Sequence, residues 1–424
     1  MKERSEYKGV WFLPKNPNCR IGGILNFETN SAIRLELFDC YDEPSIEESL
    51  TSTHHKILDV ICGLTIDGKK ITLIGCTESL NINFNNDVRL SSYKCKYLLE
   101  NIHLSTSLDK VFDKISFTSP ILTNWKHPGI IENTLTFSDT NQIKNIKVSV
   151  DTDSYWEKYF KLDENYTLQL SSSGNFNDDY GKTEYIFTQN TELSIINHTE
   201  KKTFSDFLTK LILALKFLSL ATLSEVVIKN LVLYTNSSIG ADSRLDAIPV
   251  YQVEKTTVLP DKIVFNNQLF TFDDVSDIFS DVINKWYKEE GSLGPIREHL
   301  IESIKPKIYF SSLDFLTMIQ SLEGYHRRFV NENKLFLRER LNNLLLRFDN
   351  IQAIKKNSFD VEKVISTRNY YSHFYHKDKN VLVGRELIIT TQKLRTLLIC
   401  SVLSLIGFDN KKIDTLLINN NYSQ

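Results

Sequence analysis

Glycine and proline are scarce, with 15 and 9 residues in 424, which excludes collagen-like and linker-dominated chains. Cysteine is scarcer still. Cys19, Cys40, Cys62, Cys76, Cys95 and Cys400 are scattered without a C-x-x-C pair, so neither a structural zinc site nor a disulfide scaffold is indicated. Small thiols in a reducing compartment are the simpler expectation. Charge of one sign is not in excess either. The chain has 50 Lys and Arg against 53 Asp and Glu, a formal net charge of −3. That excludes a uniformly basic nucleic-acid coat but leaves room for a local basic patch. Long uninterrupted apolar runs are also missing. The most hydrophobic stretch, Phe207 to Leu223, carries Lys210 and Lys216, and charges inside a membrane span are costly, so a buried helix is expected there. The first residues, Met1 to Glu6, are charged and hold no apolar leader, so a cytoplasmic location without membrane contact is expected.

What is present is globular: 41% hydrophobic and 24% charged residues, enough for two or three domains. Charge divides along the chain. From Gly291 to Gln424 there are 20 Lys and Arg and 13 Asp and Glu, a net of +7, and the preceding residues carry a net of −10. The apolar period changes at the same place. Up to about Ile196, short runs such as Gly9 to Leu13, Ile33 to Phe38 and Lys70 to Ile74 read as antiparallel strands of a sandwich-like unit. Their aromatics Trp11, Phe12, Phe27 and Phe38 read as core. Thr203 to Leu223 reads as a helix, Val226 to Tyr234 as a strand, and a helix capped by Thr271 and Asp274 runs to about Glu290. Gly291, Gly294 and Pro295 read as its stop, which puts a boundary between residues 1–292 and 293–424. Beyond it four helices follow: Ser312 to Val330, with apolar positions from Leu313 to Phe329, Phe336 to Phe348, one starting near Asp360, and Arg385 to Phe408 with Gly407 as its stop. The class is α+β, a β-rich first part and an all-helical bundle.

The third bundle helix holds Arg368-Asn369-Tyr370-Tyr371-Ser372-His373. These residue types suit metal-independent RNA cleavage. RNA supplies its own nucleophile, the 2′-hydroxyl, so a protein needs only a proton shuttle and a cation on the phosphoryl oxygens. Histidine titrates near neutrality and moves the proton. Arginine presents a charged planar fork to two phosphate oxygens. Asn369 is placed to orient the phosphate or the arginine. Five positions turn a helix by about 500°, which leaves the two side chains roughly 140° apart. They converge only if His373 sits at a frayed or distorted helix end, or if two subunits share the cleft. Tyr370, Tyr371, Phe374, Tyr375, His376 and Lys377 add aromatic faces and cations of the kind that holds single-stranded RNA.

The run Leu316-Thr317-Met318-Ile319-Gln320-Ser321-Leu322-Glu323-Gly324-Tyr325-His326-Arg327-Arg328, paired with Thr367 to His373, resembles the Apea-type HEPN domain. Lys8 to Pro14, Gly23 to Phe27 and Ile33 to Phe38 are similar to the β-rich domain that accompanies it. The resemblance implies an anti-phage or abortive-infection protein whose HEPN bundle is an RNA endonuclease. It implies catalytic roles for Arg368 and His373, with Asn369 as the polar residue after the arginine. It also implies a homodimer through the bundle, products ending in 2′,3′-cyclic phosphate or 3′-phosphate, and sensing or regulation by the first domain.

The expectation is therefore a metal-independent endoribonuclease without cofactor, acting on RNA and answering a phage-derived trigger. Arg327 and Arg328 are expected to add phosphate contacts. Glu323 and His326 either line the cleft of Arg368, where Glu323 pairs with its guanidinium, or form a buried polar contact. The rival reading is a non-catalytic dimer that binds RNA or a phage component. A third is a nucleotidyl- or AMP-transfer partner in a toxin–antitoxin pair.

Overall fold

The computed structural model describes residues 4–28, 33–41, 57–79, 90–139, 142–178, 185–239, 242–252, 268–305, 311–356 and 358–419. They form two compact units: residues 1–118, 193–211 and 228–263, and residues 119–192, 212–227 and 264–424.

The first unit is antiparallel β. Strands β1 (Arg4–Leu13), β2 (Asn16–Glu28), β3 (Ile33–Leu37), β4 (Ile57–Thr65), β5 (Lys70–Ser79) and β6 (Ser91–Cys95) pair in the order β5-β4-β1-β2-β3-β6. The series closes on itself, because β6 pairs with both β3 and β5 (Leu35 opposite Tyr93, Glu78 opposite Tyr93). The class is α+β as expected, but these strands form a barrel in place of the stacked layers of a sandwich. Period-two alternation marks a strand with one buried face and is identical in both arrangements. In β3 the alternation is strict: Ile33, Leu35 and Leu37 point inward, and Arg34 and Glu36 outward. Trp11, Phe12 and Phe27 are core as expected, whereas Phe38, just past β3, is exposed. From β5 the sheet continues through β7 (Tyr97–Glu100), β15 (Asp242–Gln252), β14 (Asn230–Ile239) and β8 (Lys114–Thr118).

The second unit joins strands to helices. Its strands are β11 (Glu157–Lys161), β12 (Tyr166–Asp178) and the start of β13 (Tyr185–Asn197), with a separate hairpin of β9 (Ile131–Phe137) and β10 (Ile143–Val150). Helices α1 (Pro120–Trp125), the later part of α2 (Phe204–Thr222), α3 (Phe272–Val275) and α4 (Phe279–Lys288) meet β11 in an aromatic cluster. Trp125, Phe160, Phe217, Phe272 and Phe279 pack there, mostly edge to face. Thr271 and Asp274 do form a capping box, but the helix that they start stops at Val275, and α4 begins anew.

Gly291, Gly294 and Pro295 do not end a helix. They lie inside α5 (Glu290–Ile304), whose inner face buries Leu293, Ile296 and Leu300. Pro295 withholds one backbone bond from the carbonyl of Gly291, a loss that burial of this face outweighs. The remaining helices are α6 (Ser312–Phe329), α7 (Leu337–Arg347), α8 (Gln352–Lys356), α9 (Val361–His373), α10 (Gly384–Ile406) and α11 (Asn410–Asn419). In α6 the buried stripe runs through Phe315, Met318, Ile319, Leu322 and Tyr325, and Leu313 stays outside it. Helix α10 is the core of the bundle, buried from Leu394 to Leu403 almost without a break, and Gly407 ends it in the left-handed region at φ 116°.

Gly63 of β4 tests the barrel packing. A β-carbon there would overlap the six-membered ring of the buried Trp11 indole, whereas one at Gly22 of β2 would make only an ordinary contact with Phe38 at 3.6 Å. Gly63→Ala is expected to lower stability by about 1–3 kcal/mol, and Gly22→Ala to change it by less than about 0.5 kcal/mol. The midpoints of urea unfolding check both.

Candidate active site

Helix α9 positions the motif, and both of its ends are fixed locally. At the start, Asp360 Oδ1 accepts from the amides of Glu362 (2.9 Å) and Lys363 (3.3 Å). At the end, Phe374 adopts the left-handed region (φ 56°, ψ 34°) and its N–H donates to the Asn369 carbonyl. This is a costly conformation for a bulky residue, of order 1–3 kcal/mol, and Phe374 is 89% exposed. His373 is therefore the last helical residue. Thr367, buried one residue before Arg368, accepts the amide of Leu382 at 2.9 Å and pins the returning chain to the helix.

Termination at His373 decides the geometry. Arg368 Nη1 reaches His373 Nε2 at 2.6 Å, and the same nitrogen lies 3.2 Å from Asn369 Oδ1. Of the two routes to convergence, this is the helix-end route, inside one chain. A guanidinium only donates, so Nε2 accepts and the ring carries its proton on Nδ1. In this contact the Nε2 lone pair is engaged by the arginine. The ring of Tyr375 lies 5.9 Å from that of His373, and Tyr370 and Tyr371 contact each other edge to face at 4.8 Å.

Arg368 and Asn369 line an open cleft of about 580 Å³. Helix α6 contributes Glu323, and the segment from Leu335 to Glu339 forms the opposing wall. Glu323 therefore shares the cleft, but its carboxylate takes Arg327 at 3.0 Å and not Arg368. Four residues along α6, Arg327 is the near neighbour on the same face. Arg328 is engaged elsewhere: its Nη1 donates to the Ser292 carbonyl at 2.6 Å. Lys377 is exposed in the segment after α9.

His326 does not line the cleft. It is fully buried, with Nδ1 2.9 Å from Arg340 Nη1 and Nε2 3.4 Å from the Asn343 amide. Arg340, also buried, donates further to the carbonyls of Leu335, Asn331 and Asn333. This guanidinium shapes the turn that carries the opposing wall, and sequence reasoning missed it. Its signal was an arginine on the buried stripe of α7, between Leu337 and Leu341. Burial, reinforced by the Arg340 charge, holds the His326 ring below its ordinary range of titration.

The sign of the pH effect follows. The unfolded chain binds a proton at His326 more readily than the folded one, so this contribution is complete above about pH 6.5 and is lost as pH falls below that value. Unfolding midpoints are expected to drop on acidification from pH 7 to pH 5, with a shallower slope in His326→Gln. A slope unchanged by that substitution would assign the effect to other groups.

Comparison with known families comes from two models. ApeA N-terminal domain 1 matches residues 6–286, and Apea-like HEPN matches residues 316–412. No curated protein and no solved structure matches the chain. HEPN domains are typically ribonucleases, generally bind RNA and often dimerise, so a ribonuclease-type, defence-associated function is the coarse reading. The motif of α9 and the run at the end of α6 both lie inside the HEPN match, and with the first model covering more than half of its length, the chain belongs to the ApeA family of HEPN proteins.

Proposed function

We propose that this protein is a metal-independent endoribonuclease of anti-phage defence, acting in the cytoplasm by abortive infection. The single observation that carries the reading is the contact of Arg368 with His373 at the edge of an open cleft. A phosphate entering the cleft is a better acceptor for the guanidinium fork than a neutral imidazole. When Arg368 turns to it, the Nε2 lone pair is released next to the substrate. His373 then takes the proton of the 2′-hydroxyl, and the 2′-oxygen attacks the adjoining phosphorus. The bond to the 5′-oxygen breaks, and that oxygen leaves with a proton. The products are a 2′,3′-cyclic phosphate and a 5′-hydroxyl. Arg368 stabilises the charge that builds on the phosphoryl oxygens, and Asn369 holds the fork in place.

The helical part from about residue 293 is the nuclease in this reading, and residues 1–292 sense a phage-derived trigger. The molecule is a homodimer through the bundle: a protonated His373 of the partner subunit gives its proton to the leaving oxygen, and the proton taken from the 2′-hydroxyl stays on the first His373 until water removes it. The exposed Phe374 and Tyr375 beside the site support such pairing.

Purified protein with RNA in excess EDTA tests the proposal. Cleavage is expected to continue. His373→Ala is expected to lower the rate by about 10²–10⁴-fold and Arg368→Ala by about 10²–10³-fold. Arg368→Lys fails to restore it, because a point charge replaces the fork. Equal RNA loss in all variants, or loss abolished by the chelator, overturns the mechanism. If phage protection survives in Arg368→Ala/His373→Ala, the non-catalytic binding reading replaces it.

A further inference from the structure

The cleft lining mixes chemistries, with the charged Glu323, Arg338 and Glu339 beside two further groups. Arg368 and Asn369 are polar and suited to a phosphate, whereas Leu335, Phe336, Leu337 and Ile365 bring an apolar surface to the same space. Phe336 stands out among them, because it is 82% exposed. It is not a mobile loop tip. Its amide donates to Glu339 Oε2 at 2.8 Å, and the preceding carbonyl, of Leu335, accepts from Arg340. The backbone that carries Phe336 is thus tied down on both sides, and its side chain stands open to solvent in the cleft that Arg368 also lines.

We infer that Phe336 and Glu323 form a nucleobase subsite that selects guanine next to the scissile phosphate. This rests on the ribonuclease reading for its substrate and adds the base specificity. An unstacked base lies on the Phe336 ring while its phosphate meets Arg368, the pairing of stacking and edge contacts through which single-stranded RNA is read. A volume of about 580 Å³ lies within the range of sites that enclose small ligands. The edge is read by Glu323. Its Oε1 is held by Arg327 at 3.0 Å, which fixes the carboxylate, and its side chain is largely withdrawn from solvent. Glu339 is less suited, since its Oε2 is already committed to the Phe336 amide. An ionised carboxylate accepts and never donates. Guanine alone presents two adjacent N–H donors, at N1 and N2, to such a group. Uracil flanks its one N–H with two carbonyl oxygens that a carboxylate repels, and adenine and cytosine set a single amino group beside an acceptor.

Titration of the full chain with 3′-GMP and 3′-UMP, followed by calorimetry, reads the subsite without requiring turnover. The expected result is binding of 3′-GMP about tenfold tighter than 3′-UMP. Glu323→Gln removes that preference. Phe336→Ala weakens both nucleotides by about tenfold, and Phe336→Tyr restores them. Phe336 is exposed and Glu323 half-buried, and circular dichroism verifies the fold of each variant. Equal affinity for the two nucleotides in the native protein overturns the inference, as does a preference that survives Glu323→Gln. End-sequencing of cleaved RNA separates this outcome from failure of the nuclease reading. Cuts without a guanine bias remove the subsite alone, whereas guanine-selective binding with no cleavage removes the nuclease and leaves the subsite standing.

Discussion

The contact between Arg368 and His373 at the end of α9 is the interaction on which this site depends. Arg368 and His373 lie five positions apart, a spacing that sends two side chains to different faces of a regular helix. They meet at the end of α9, where His373 is the last helical residue and the chain enters the left-handed region at Phe374. An exposed phenylalanine has no intrinsic reason to adopt that conformation. The strain is borne by the surrounding contacts, notably the bond from Phe374 to the Asn369 carbonyl and the anchoring of Leu382 on Thr367. The 2.6 Å contact lies within one chain.

The wall facing this pair is held by a different device. Arg340 and His326 are buried together, and the arginine spends its donors on three turn carbonyls and one ring nitrogen. A buried guanidinium is tolerable only when its donors are satisfied, and here the acceptors belong to the segment that presents Phe336 and its neighbours. Burial of a charged group and the shape of the cleft are therefore one constraint. Glu323 and His326, three residues apart on α6, have opposite fates for this reason. One faces the cleft and pairs with Arg327, and the other faces inward and meets Arg340.

The compact units do not follow the order of the chain. Residues 119–192 belong with the helices through the aromatic cluster around Trp125 and Phe279, although by composition they continue the strand-rich part. The family models divide the chain differently, with one match ending at 286 and the other starting at 316. Both descriptions hold at once. Inheritance follows contiguous sequence, whereas packing follows apolar surface wherever the chain brings it.

The amino-acid sequence by itself determined the class and the local elements. Alternation in Ile33 to Leu37, the box at Thr271 and Asp274, the cap at Asp360 and the stop at Gly407 are all local physics, and each is present. It also contained the candidate pair, because the residue types that move protons and hold phosphates are few. Tertiary structure decided the rest. Barrel closure depends on which strand accepts β6, and alternation carries no such information. The helix that runs through Gly291, Gly294 and Pro295 is settled by burial of Leu293, Ile296 and Leu300, which outweighs their local preference. The end of α9 falls at a phenylalanine and not at a glycine, so no turn residue announces it. The inward course of Arg340 is set by carbonyls whose positions exist only once the turn has formed.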